Sequence, residues 1–471
     1  MNKNAKLRKT SLFLKNSKKA IKLNQDGLKL FLFGKEKEAI ACFKKSIKLS
    51  FNYPDPYFHL GNYYLQINDF DLAEKYYDKA IEINPKNADY YFNLGIIKYN
   101  SNKIDETIKL YKKSLEINPN HTKSLKFLGN LYKDKKDFTK ALKINSRWKN
   151  LEPNNPEPYF SDSLIHIRNG RFDIGWKLYE RGLENNVREP LRGYYTEREK
   201  IWDGRDFNSG LLVYGEQGLG DQLIFGTVLP DLLKDHQNVI LKVDARLKNL
   251  FEDSYSNIKV FSENDEIPKC LYKSYISLGS LCKFYRNHTN DFLNSKFKSY
   301  DLKRNLPLHI SKQISSLDNL KIGISWKTFA SKNQIKRSLS TSQVSKILSS
   351  NDNSFINLQY GNVYKDIKEI NSLSQNHLIT IDNLDLTNDL NNVINVIKNC
   401  DLIITIDNTL AHLAASLGKI TWILLPFSSD FRWMESITPS LWYDNAVLIR
   451  QKNDGVWDNV LNNIIYALSK V

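Results

Sequence analysis

The sequence is poor in cysteine and lacks any cysteine spacing that would hold a zinc ion. Its four cysteines are Cys42, Cys270, Cys282 and Cys400, and none belongs to a CxxC pair. Isolated cysteines of this kind indicate reduced, mostly buried thiols, and we therefore expect a cytoplasmic protein. A GK[ST] element is also missing, which excludes the P-loop class of nucleotide-binding proteins.

Long apolar runs are absent from the basic N-terminal end. The formal net charge is +16, and residues 1–50 carry 14 Lys and Arg against 3 Asp and Glu, whereas residues 156–471 carry 37 against 36. The apolar element SLFL is too short for a secretory signal or a membrane span. We predict a solvated basic arm over residues 1–19. Peripheral contact with an anionic membrane or RNA is the alternative, and nucleic acid is the less expected partner.

A period of 34 residues runs through the first third of the chain. Two residue types keep it independently: glycine at Gly27, Gly61, Gly95 and Gly129, and proline at Pro85, Pro119 and Pro153. Small residues let two helices approach closely, aromatic residues fill the space between them, and proline ends the second helix. This pattern resembles the tetratricopeptide repeat.

The repeats are predicted over residues 20–53, 54–87, 88–121 and 122–155, followed by a degenerate fifth repeat in which Ser163 replaces the glycine. We therefore predict an all-α tetratricopeptide-repeat solenoid over residues 20–184. Stacked repeats of this type share a continuous core and present a groove. We expect that groove to bind a protein partner.

Beyond a polar connector over residues 185–209, short β-rich runs alternate with helical stretches. The predicted strands are residues 211–215, 239–244, 258–262, 321–326, 355–360, 378–382, 401–407, 420–426 and 446–450. Such alternation predicts parallel sheets with crossover helices, in two halves over residues 210–310 and 311–471. Ligands of such sheets bind at the carboxyl ends of the strands.

The stretch GEQGLGDQL follows the first predicted strand. Its glycines, Gly215, Gly218 and Gly220, have the order GxxGxG, which differs from the GxGxxG of dinucleotide-binding proteins. Asp221 lies beside a predicted helix N-terminus, where it can accept a proton from a bound hydroxyl or simply cap the helix. Asp244, at the end of the next strand, keeps a nicotinamide-dependent dehydrogenase as an alternative.

Two further groups of polar residues follow predicted strands. The first comprises Lys327, Lys332, Lys336 and Arg337, and the second comprises Asp407, Asn408, Thr409 and His412. Cations at a strand end suit a diphosphate, although solvated surface residues have the same pattern. The second group opens a helix whose free amides point at the crevice. Asp69 and Asp71 have the spacing of a metal-binding DxD, but they lie at a turn inside a repeat and are predicted to be structural.

The ordered motifs GEQGLGDQL, ISWKT, INLQYG, IDNTLAHLAASLGK and WILLPFSSDFRWM resemble the ADP-heptose:lipopolysaccharide heptosyltransferase-like glycosyltransferases. The resemblance covers residues 210–468 and is greatest for the subgroup that carries tetratricopeptide repeats in front. It implies a GT-B pair of facing Rossmann-like halves, with the acceptor on 210–310 and the nucleotide-sugar on 311–471. It further implies metal-independent, inverting transfer of a hexosyl or heptosyl group to a protein or glycan acceptor, with the nucleotide-sugar as co-substrate and no cofactor.

Position by position, the resemblance makes Asp221 the catalytic base and the three glycines before it the glycine-rich loop. It assigns donor binding to Lys327, Gln359, Gly361, Asp407, Asn408, Thr409 and His412. Asn408 stands where the family has threonine, and Thr409 where it has a small residue, so the donor is left open.

Two alternatives remain from the sequence besides the dehydrogenase. A repeat-based scaffold with a non-catalytic transferase domain would keep the same repeats. A protein O-linked N-acetylglucosaminyltransferase also joins such repeats to a GT-B domain, but its own motifs are not visible in this sequence.

Overall fold

The computed structural model describes residues 3–186, 188, 200–205, 208–329, 334–435 and 437–470. The chain divides into two compact units, Met1–Pro158 and Tyr159–Val471. The first unit contains helices only, and the second contains two parallel sheets with their helices.

The helices of the first unit form four successive pairs, each packed against the next. They are α1 (Lys3–Leu32), α2 (Glu36–Leu49), α3 (Asp55–Gln66), α4 (Phe70–Ile83), α5 (Ala88–Asn100), α6 (Ile104–Ile117), α7 (Thr122–Asp134) and α8 (Phe138–Leu151). The pairs follow the predicted 34-residue repeats. Each of α4, α6 and α8 ends two residues before a periodic proline, which cannot continue a helix.

The predicted N-terminal arm is not a separate segment, because its residues from Lys3 onward belong to α1. This helix is 30 residues long and contains a single acidic residue, Asp26. In the ranges that the structure describes, no helix combines the length and apolar character needed to cross a bilayer.

The periodic glycines let the two helices of a repeat touch. A Cβ atom on Gly61 would lie 2.5 Å from Cε1 of Tyr77, whose ring is fully buried. The Tyr77 hydroxyl donates to Oδ1 of Asn62 at 2.8 Å. The glycine of α3 and the aromatic residue of α4 are therefore one packing unit, as the period indicated.

The predicted fifth repeat comprises α9 (Glu157–Arg168) and α10 (Phe172–Tyr179). Phe172, Trp176 and Tyr179 lie in the core of the second unit, and the Trp176 indole donates to the carbonyl oxygen of Arg286 at 2.7 Å. The predicted solenoid ends at residue 184, whereas the two units divide at Pro158. The reason is that these aromatic side chains pack on the sheet region.

The first sheet has four parallel strands in the order β3-β2-β1-β4. Its elements are β1 (Leu211–Tyr214), α11 (Leu219–Gly226), α12 (Leu229–Asp235), β2 (Val239–Val243), α13 (Lys248–Ser254), β3 (Lys259–Ser262), β4 (Ser274–Ser277), α14 (Cys282–Tyr285) and α15 (Thr289–Leu293). The central strands β1 and β2 are buried along their whole length, as parallel sheets covered by helices require.

The second sheet has five parallel strands in the order β6-β5-β7-β8-β9. Its elements are α16 (Leu308–Ser315), β5 (Lys321–Ser325), α17 (Gln334–Arg337), α18 (Thr341–Leu348), β6 (Ser354–Asn357), α19 (Tyr364–Leu373), α20 (Leu390–Lys398), β7 (Leu402–Ile406), α21 (Thr409–Ser416), β8 (Thr421–Leu425), β9 (Ala446–Arg450) and α22 (Asp458–Leu468).

Two strand predictions differ from the structure. Residues 378–382 contribute only an isolated bridge between Ile379 and Ile356, so this prediction is wrong. The strand β4 was not predicted because its sequence, SYIS, contains two serines. Ser277 is nevertheless buried, since its hydroxyl caps the short helix that follows.

Replacing Gly61 with alanine should overpack the α3–α4 interface. The added methyl group would meet the Tyr77 ring, so we expect a loss of roughly 1–3 kcal/mol in the stability of the first unit. Calorimetric melting of the full chain, with hydrogen exchange of the α3 and α4 amides, measures this loss. Lys112→Ala, at an exposed site of α6, is the control. Equal melting of the two variants would contradict the packing described.

Candidate functional site

The glycine-rich turn joins β1 to α11 and brings that helix against α21. Gly218 precedes α11, and its N–H donates to Oδ2 of Asp221 at 3.3 Å. A Cβ atom on Gly220 would lie 3.0 Å from Cδ2 of His412. A side chain at Gly220 would thus make a tighter than ordinary contact with His412, so glycine permits close approach of α11 and α21, and with them of the segments that form the first and second sheets (the two sheet regions).

The carboxylate of Asp221 is held by an arginine of the second sheet region. Arg432 donates from Nε to Oδ1 of Asp221 at 3.1 Å, and its Nη2 bonds the same oxygen. Nη1 of Arg432 lies 2.7 Å from Oδ1 of Asp430. Arg432 belongs to the short 3₁₀ turn Phe431–Trp433 after β8. The predicted base is therefore joined directly to the neighbourhood of the predicted donor site.

The residue after Arg432 fixes the aspartate at the end of β7. The Trp433 indole donates to Oδ1 of Asp407 at 2.7 Å. Nη2 of Arg337 donates to Oδ2 of Asp407 at 3.0 Å and to its carbonyl oxygen at 3.1 Å. Asp407 is buried, and both of its carboxylate oxygens have partners within the protein.

His412 lies between the two sheet regions as a buried, neutral side chain. Its ring stacks on Trp433 with centroids 4.7 Å apart and planes 9° apart, and Nδ1 lies 3.3 Å from the Tyr443 hydroxyl. Burial, reinforced by the positive charge of Arg432, lowers the pKa of His412 to about 3. The imidazole can therefore exchange hydrogen bonds with a ligand at neutral pH, but it carries no charge there.

The structure thus brings Asp221, Asp407 and His412 together around the dipeptide Arg432–Trp433. No role was predicted for either member of this dipeptide, although both lie in the FRWM motif. Their position after β8, which pairs with β7, was the available signal. Parallel neighbours end at the same edge of a sheet.

Asn408 and Thr409 form the start of α21. Oδ1 of Asn408 accepts from the amide of Leu410 at 3.0 Å and from the Thr405 hydroxyl at 3.1 Å. Its Nδ2 donates to Oγ of Ser325 at 2.8 Å. Asn408 is therefore a buried helix cap, and Thr409, half-buried at the first helical position, is the better placed of the two to meet a ligand.

Gln359 holds the ends of β5 and β6 together. Its Oε1 accepts from the amides of Trp326 at 2.8 Å and Lys327 at 2.6 Å, and its Nε2 donates to the carbonyl oxygens of Lys327 and Tyr360 at 3.0 Å. In this arrangement the side chain is engaged by the protein's own backbone. It positions the loops in which Lys327 and Gly361 lie.

Lys327 lies in the loop after β5 and Gly361 lies in the loop after β6, the two loops that Gln359 joins. Nζ of Lys327 forms an ion pair with Oδ2 of Asp366 at 2.8 Å. Gly361 has a φ of +87°, and a Cβ atom there would lie 2.5 Å from the ring of Phe329, so glycine is required by both its conformation and its space. Lys332 lies outside the described residues.

The residues behind the other sequence hypotheses have structural roles. Asp244 accepts from Nε of Arg246 at 2.9 Å and from Nη2 at 2.8 Å. Asp69 caps α4 by accepting from the amide of Leu72 at 3.2 Å. Among the residues described, no group of three or more His, Cys, Asp or Glu side chains could hold a metal ion.

A buried ion pair holds the glycine-rich turn in place through Glu216, its second residue. Arg188 donates from Nε to Oε2 of Glu216 at 3.0 Å, and its Nη2 bonds the other carboxylate oxygen. The amide of Gly279 also donates to Glu216, at 3.0 Å. Both charged side chains are completely buried. A pair of this kind fixes geometry because neither partner tolerates the loss of the other.

The first unit contains a groove of about 460 Å³ formed by the first helices of three successive repeats. It is lined by Phe58, Asn62, Leu65 and Gln66 of α3, Asp89 and Asn93 of α5, and Lys123 of α7. Nδ2 of Asn93 donates to Oδ1 of Asn62 at 2.8 Å, so the two asparagines hold each other in place. The groove offers amide, charged and apolar groups side by side.

The period and the helix pairs define the first unit as a repeat protein. Residues 54–87 and 88–121 match the model of the tetratricopeptide repeat family, which confirms the prediction of these repeats. Tetratricopeptide repeats are a scaffold for protein–protein interaction, and residues 54–121 contain two of them.

The chain is similar to protein FlbA of Caulobacter vibrioides, with 25% identity over 338 residues. The similarity covers 67% of this chain and 56% of FlbA, so the chain spans little more than half the length of that relative. Among solved structures, MamA is 22% identical with a TM-score of 0.32, over 34% of this chain and 94% of MamA. The first TPR of Spaghetti (RPAP3), solved with an HSP90 peptide, is 28% identical with a TM-score of 0.24, over 24% of this chain and 91% of its own.

Glu216→Gln should destabilise the second unit strongly, because it leaves the fully buried Arg188 with only the partly exposed Glu180, at 3.2 Å, as a charged partner. We expect a loss of roughly 3–5 kcal/mol in the free energy of unfolding, as for other broken buried pairs. Asp203→Asn removes a partner of the exposed Arg205 and should cost about 1 kcal/mol or less. Denaturant titration of the full chain compares the two. Similar losses would show that burial of the Arg188–Glu216 pair does not matter.

His412 should make the second unit less stable as the pH falls. Between its ordinary pKa of 6.5 and its folded value of about 3, the unfolded chain binds a proton at His412 that the folded chain does not. The free energy of unfolding therefore falls with decreasing pH in this window, by up to about 1.4 kcal/mol per pH unit from this group. Denaturation from pH 7.5 to 4 should show a steeper pH dependence for the wild type than for His412→Gln. Parallel curves would contradict the assignment.

Proposed function

We propose that the second unit is a glycosyltransferase of the GT-B type, metal-independent and inverting, with a nucleotide-sugar donor. In this proposal the tetratricopeptide repeats recruit a protein acceptor or partner. The donor binds at the edge of the second sheet and the acceptor at the edge of the first. A hexosyl or heptosyl group is transferred between them.

The observation that carries this proposal is the meeting of Asp221, Asp407 and His412 around Arg432 and Trp433. Asp221 follows a strand of one parallel sheet and Asp407 follows a strand of the other. Two residues of one short turn contact these aspartates, Arg432 binding Asp221 and Trp433 binding Asp407. Acceptor and donor chemistry need groups from two sides of a crevice, and this arrangement supplies them.

The proposed reaction uses Asp221 as the base. The acceptor hydroxyl gives its proton to the Asp221 carboxylate while its oxygen forms a bond to the anomeric carbon. The bond from that carbon to the nucleoside diphosphate breaks on the opposite side, which inverts the configuration. Each carboxylate oxygen has two lone pairs, so Arg432 and the Gly218 amide leave acceptor capacity for the incoming proton.

The leaving diphosphate would be stabilised at the start of α21. The amides of Leu410 and Ala411 already donate to the Asn408 side chain, so the diphosphate would meet the amide of Thr409 and the partial positive charge of the helix N-terminus. Arg337, which already contacts Asp407, adds a full charge at the same strand end. His412, neutral at physiological pH, is suited to a hydrogen bond with a donor hydroxyl rather than to charge stabilisation.

A second candidate function is a scaffold whose transferase-like unit is not catalytic. The observation that favours it is the engagement of the polar groups by the protein itself. Asp221 is paired with Arg432, and Asn408 and Gln359 are both hydrogen-bonded to neighbouring protein groups. In that case the second unit would contribute a stable body to an assembly organised by the repeats.

The test of the transferase uses a panel of nucleoside diphosphates and nucleotide-sugars. Binding of each compound is measured by thermal shift, and turnover of each nucleotide-sugar is measured as donor consumption. We expect one nucleotide family to stabilise both the wild type and Asp221→Asn, because the base does not hold the nucleotide. Turnover of the matching donor should fall roughly 10²- to 10⁴-fold in Asp221→Asn. Asp407→Asn should lose the stabilisation by nucleotide. Asp235→Asn, at an exposed site of the first sheet region, should behave as the wild type.

Absence of stabilisation by every nucleotide would contradict the transferase and favour the scaffold. Unchanged turnover in Asp221→Asn would contradict the role given to Asp221 alone. Nucleotide stabilisation that survives in Asp407→Asn would move the donor site away from the end of β7.

A further inference from the structure

The first helix carries an apolar stripe that the rest of the described chain leaves exposed to solvent. Leu14, Ile21, Leu28 and Leu32 are exposed by 57%, 41%, 38% and 78% of their surface. Their spacing of seven, seven and four residues places them along one line of the helix. Phe33, directly after α1, is 82% exposed and extends the apolar surface at that end.

The stripe is distinct from the face that holds α1 in the repeat. Over residues 14–32, for which side-chain exposure is described, Ala20, Asn24 and Gly27 are buried, and Ala20 and Gly27 pack against α2. Oγ of Ser46 donates to the carbonyl oxygen of Ala20 at 2.7 Å, and Gly27 faces the ring of Phe43. The fold of the first repeat therefore does not require the stripe to be apolar.

Lysines border the stripe on the side away from the buried face of α1. Lys15, Lys18, Lys22 and Lys29 are all exposed, and at 100° per residue they occupy the arc next to the leucines. Asp26 is the only acidic residue of α1. The helix thus presents an apolar line beside a row of positive charges.

We propose that this face of α1 binds an anionic lipid surface. The leucine and isoleucine side chains enter the boundary between headgroups and acyl chains, and the lysines meet the negatively charged headgroups. The stripe from Leu14 to Leu32 is about 27 Å long at 1.5 Å per residue, and α1 lies flat on the membrane. The inference does not depend on the proposed transferase.

Charge and composition favour this occupant over others. A second copy of the chain would bring the same lysine row against itself, and like charges repel. Nucleic acid would use the lysines but would leave the aliphatic stripe in water. A lipid surface uses both features at once, because partitioning increases with buried apolar area and with attraction to anionic lipids.

The test is flotation of the full chain with vesicles. One set contains phosphatidylcholine with about 30% phosphatidylserine, and the other contains phosphatidylcholine alone. We expect binding to the anionic vesicles and binding about tenfold weaker or less to the neutral ones, with loss of binding at high salt. The triple variant Leu14→Ser, Ile21→Ser and Leu28→Ser should lose most of the binding while it keeps the helix content of the wild type by circular dichroism, because none of the three side chains is buried.

A charge variant provides the second, independent arm. Lys15→Glu, Lys18→Glu and Lys22→Glu together should weaken binding to anionic vesicles by about tenfold or more, since each lysine near the surface contributes. The matched control changes three exposed lysines of other helices and turns, namely Lys86→Glu, Lys109→Glu and Lys112→Glu. This control should bind as the wild type does.

Four results would overturn the proposal. The first is that the wild type does not float with either kind of vesicle. The second is that the control triple variant loses as much binding as the α1 charge variant. The third is that the serine variant binds anionic vesicles as well as the wild type does, which would mean that binding rests on nonspecific charge attraction alone. The fourth is that light scattering shows a dimer for the wild type and a monomer for the serine variant, which would assign the stripe to contact with a second copy of the chain.

Discussion

The ion pair between Asp221 and Arg432 is the interaction on which the second unit depends. It joins the helix after the first strand of one sheet to the turn after a strand of the other. The two side chains are only 12% and 15% exposed, so removal of Arg432 leaves the Asp221 carboxylate in a poorly solvated place, whereas removal of Asp221 leaves Arg432 paired with Asp430. Trp433 follows Arg432 directly, and the same turn therefore also fixes Asp407 and His412.

Two other constraints make this contact available. Glu216 and Arg188 fix the glycine-rich turn from inside the first sheet region, and Gly220 leaves room for His412. The turn is thus held by charge on one side and by close packing on the other. A buried polar network that is fully satisfied specifies one arrangement, which suits a site that must hold several groups in register.

The sequence predicts the parts of this protein that local spacing encodes. The repeats could be predicted because glycine and proline recur at a period of 34 residues, and Asp221 and Asp407 could be placed on facing sides of one site because the family resemblance implies two facing halves. The partner of Asp221 could not be predicted, since Arg432 is 211 residues away and no local pattern links them. The orientation of Gln359 was also inaccessible, because an amide that binds a ligand and an amide that staples two loops occupy the same kind of position.

The short turn from Asp430 to Trp433 has a consequence for how ligands of the two sheets would affect one another. In the proposed transferase, a ligand that displaced Trp433 from Asp407 would also displace Arg432, and with it the carboxylate of Asp221. Linkage requires this influence to be reciprocal, so that each ligand changes the affinity of the other by the same factor. Donor and acceptor of the proposed transferase would then influence each other through four consecutive residues, Asp430 to Trp433, without a hinge between the sheets.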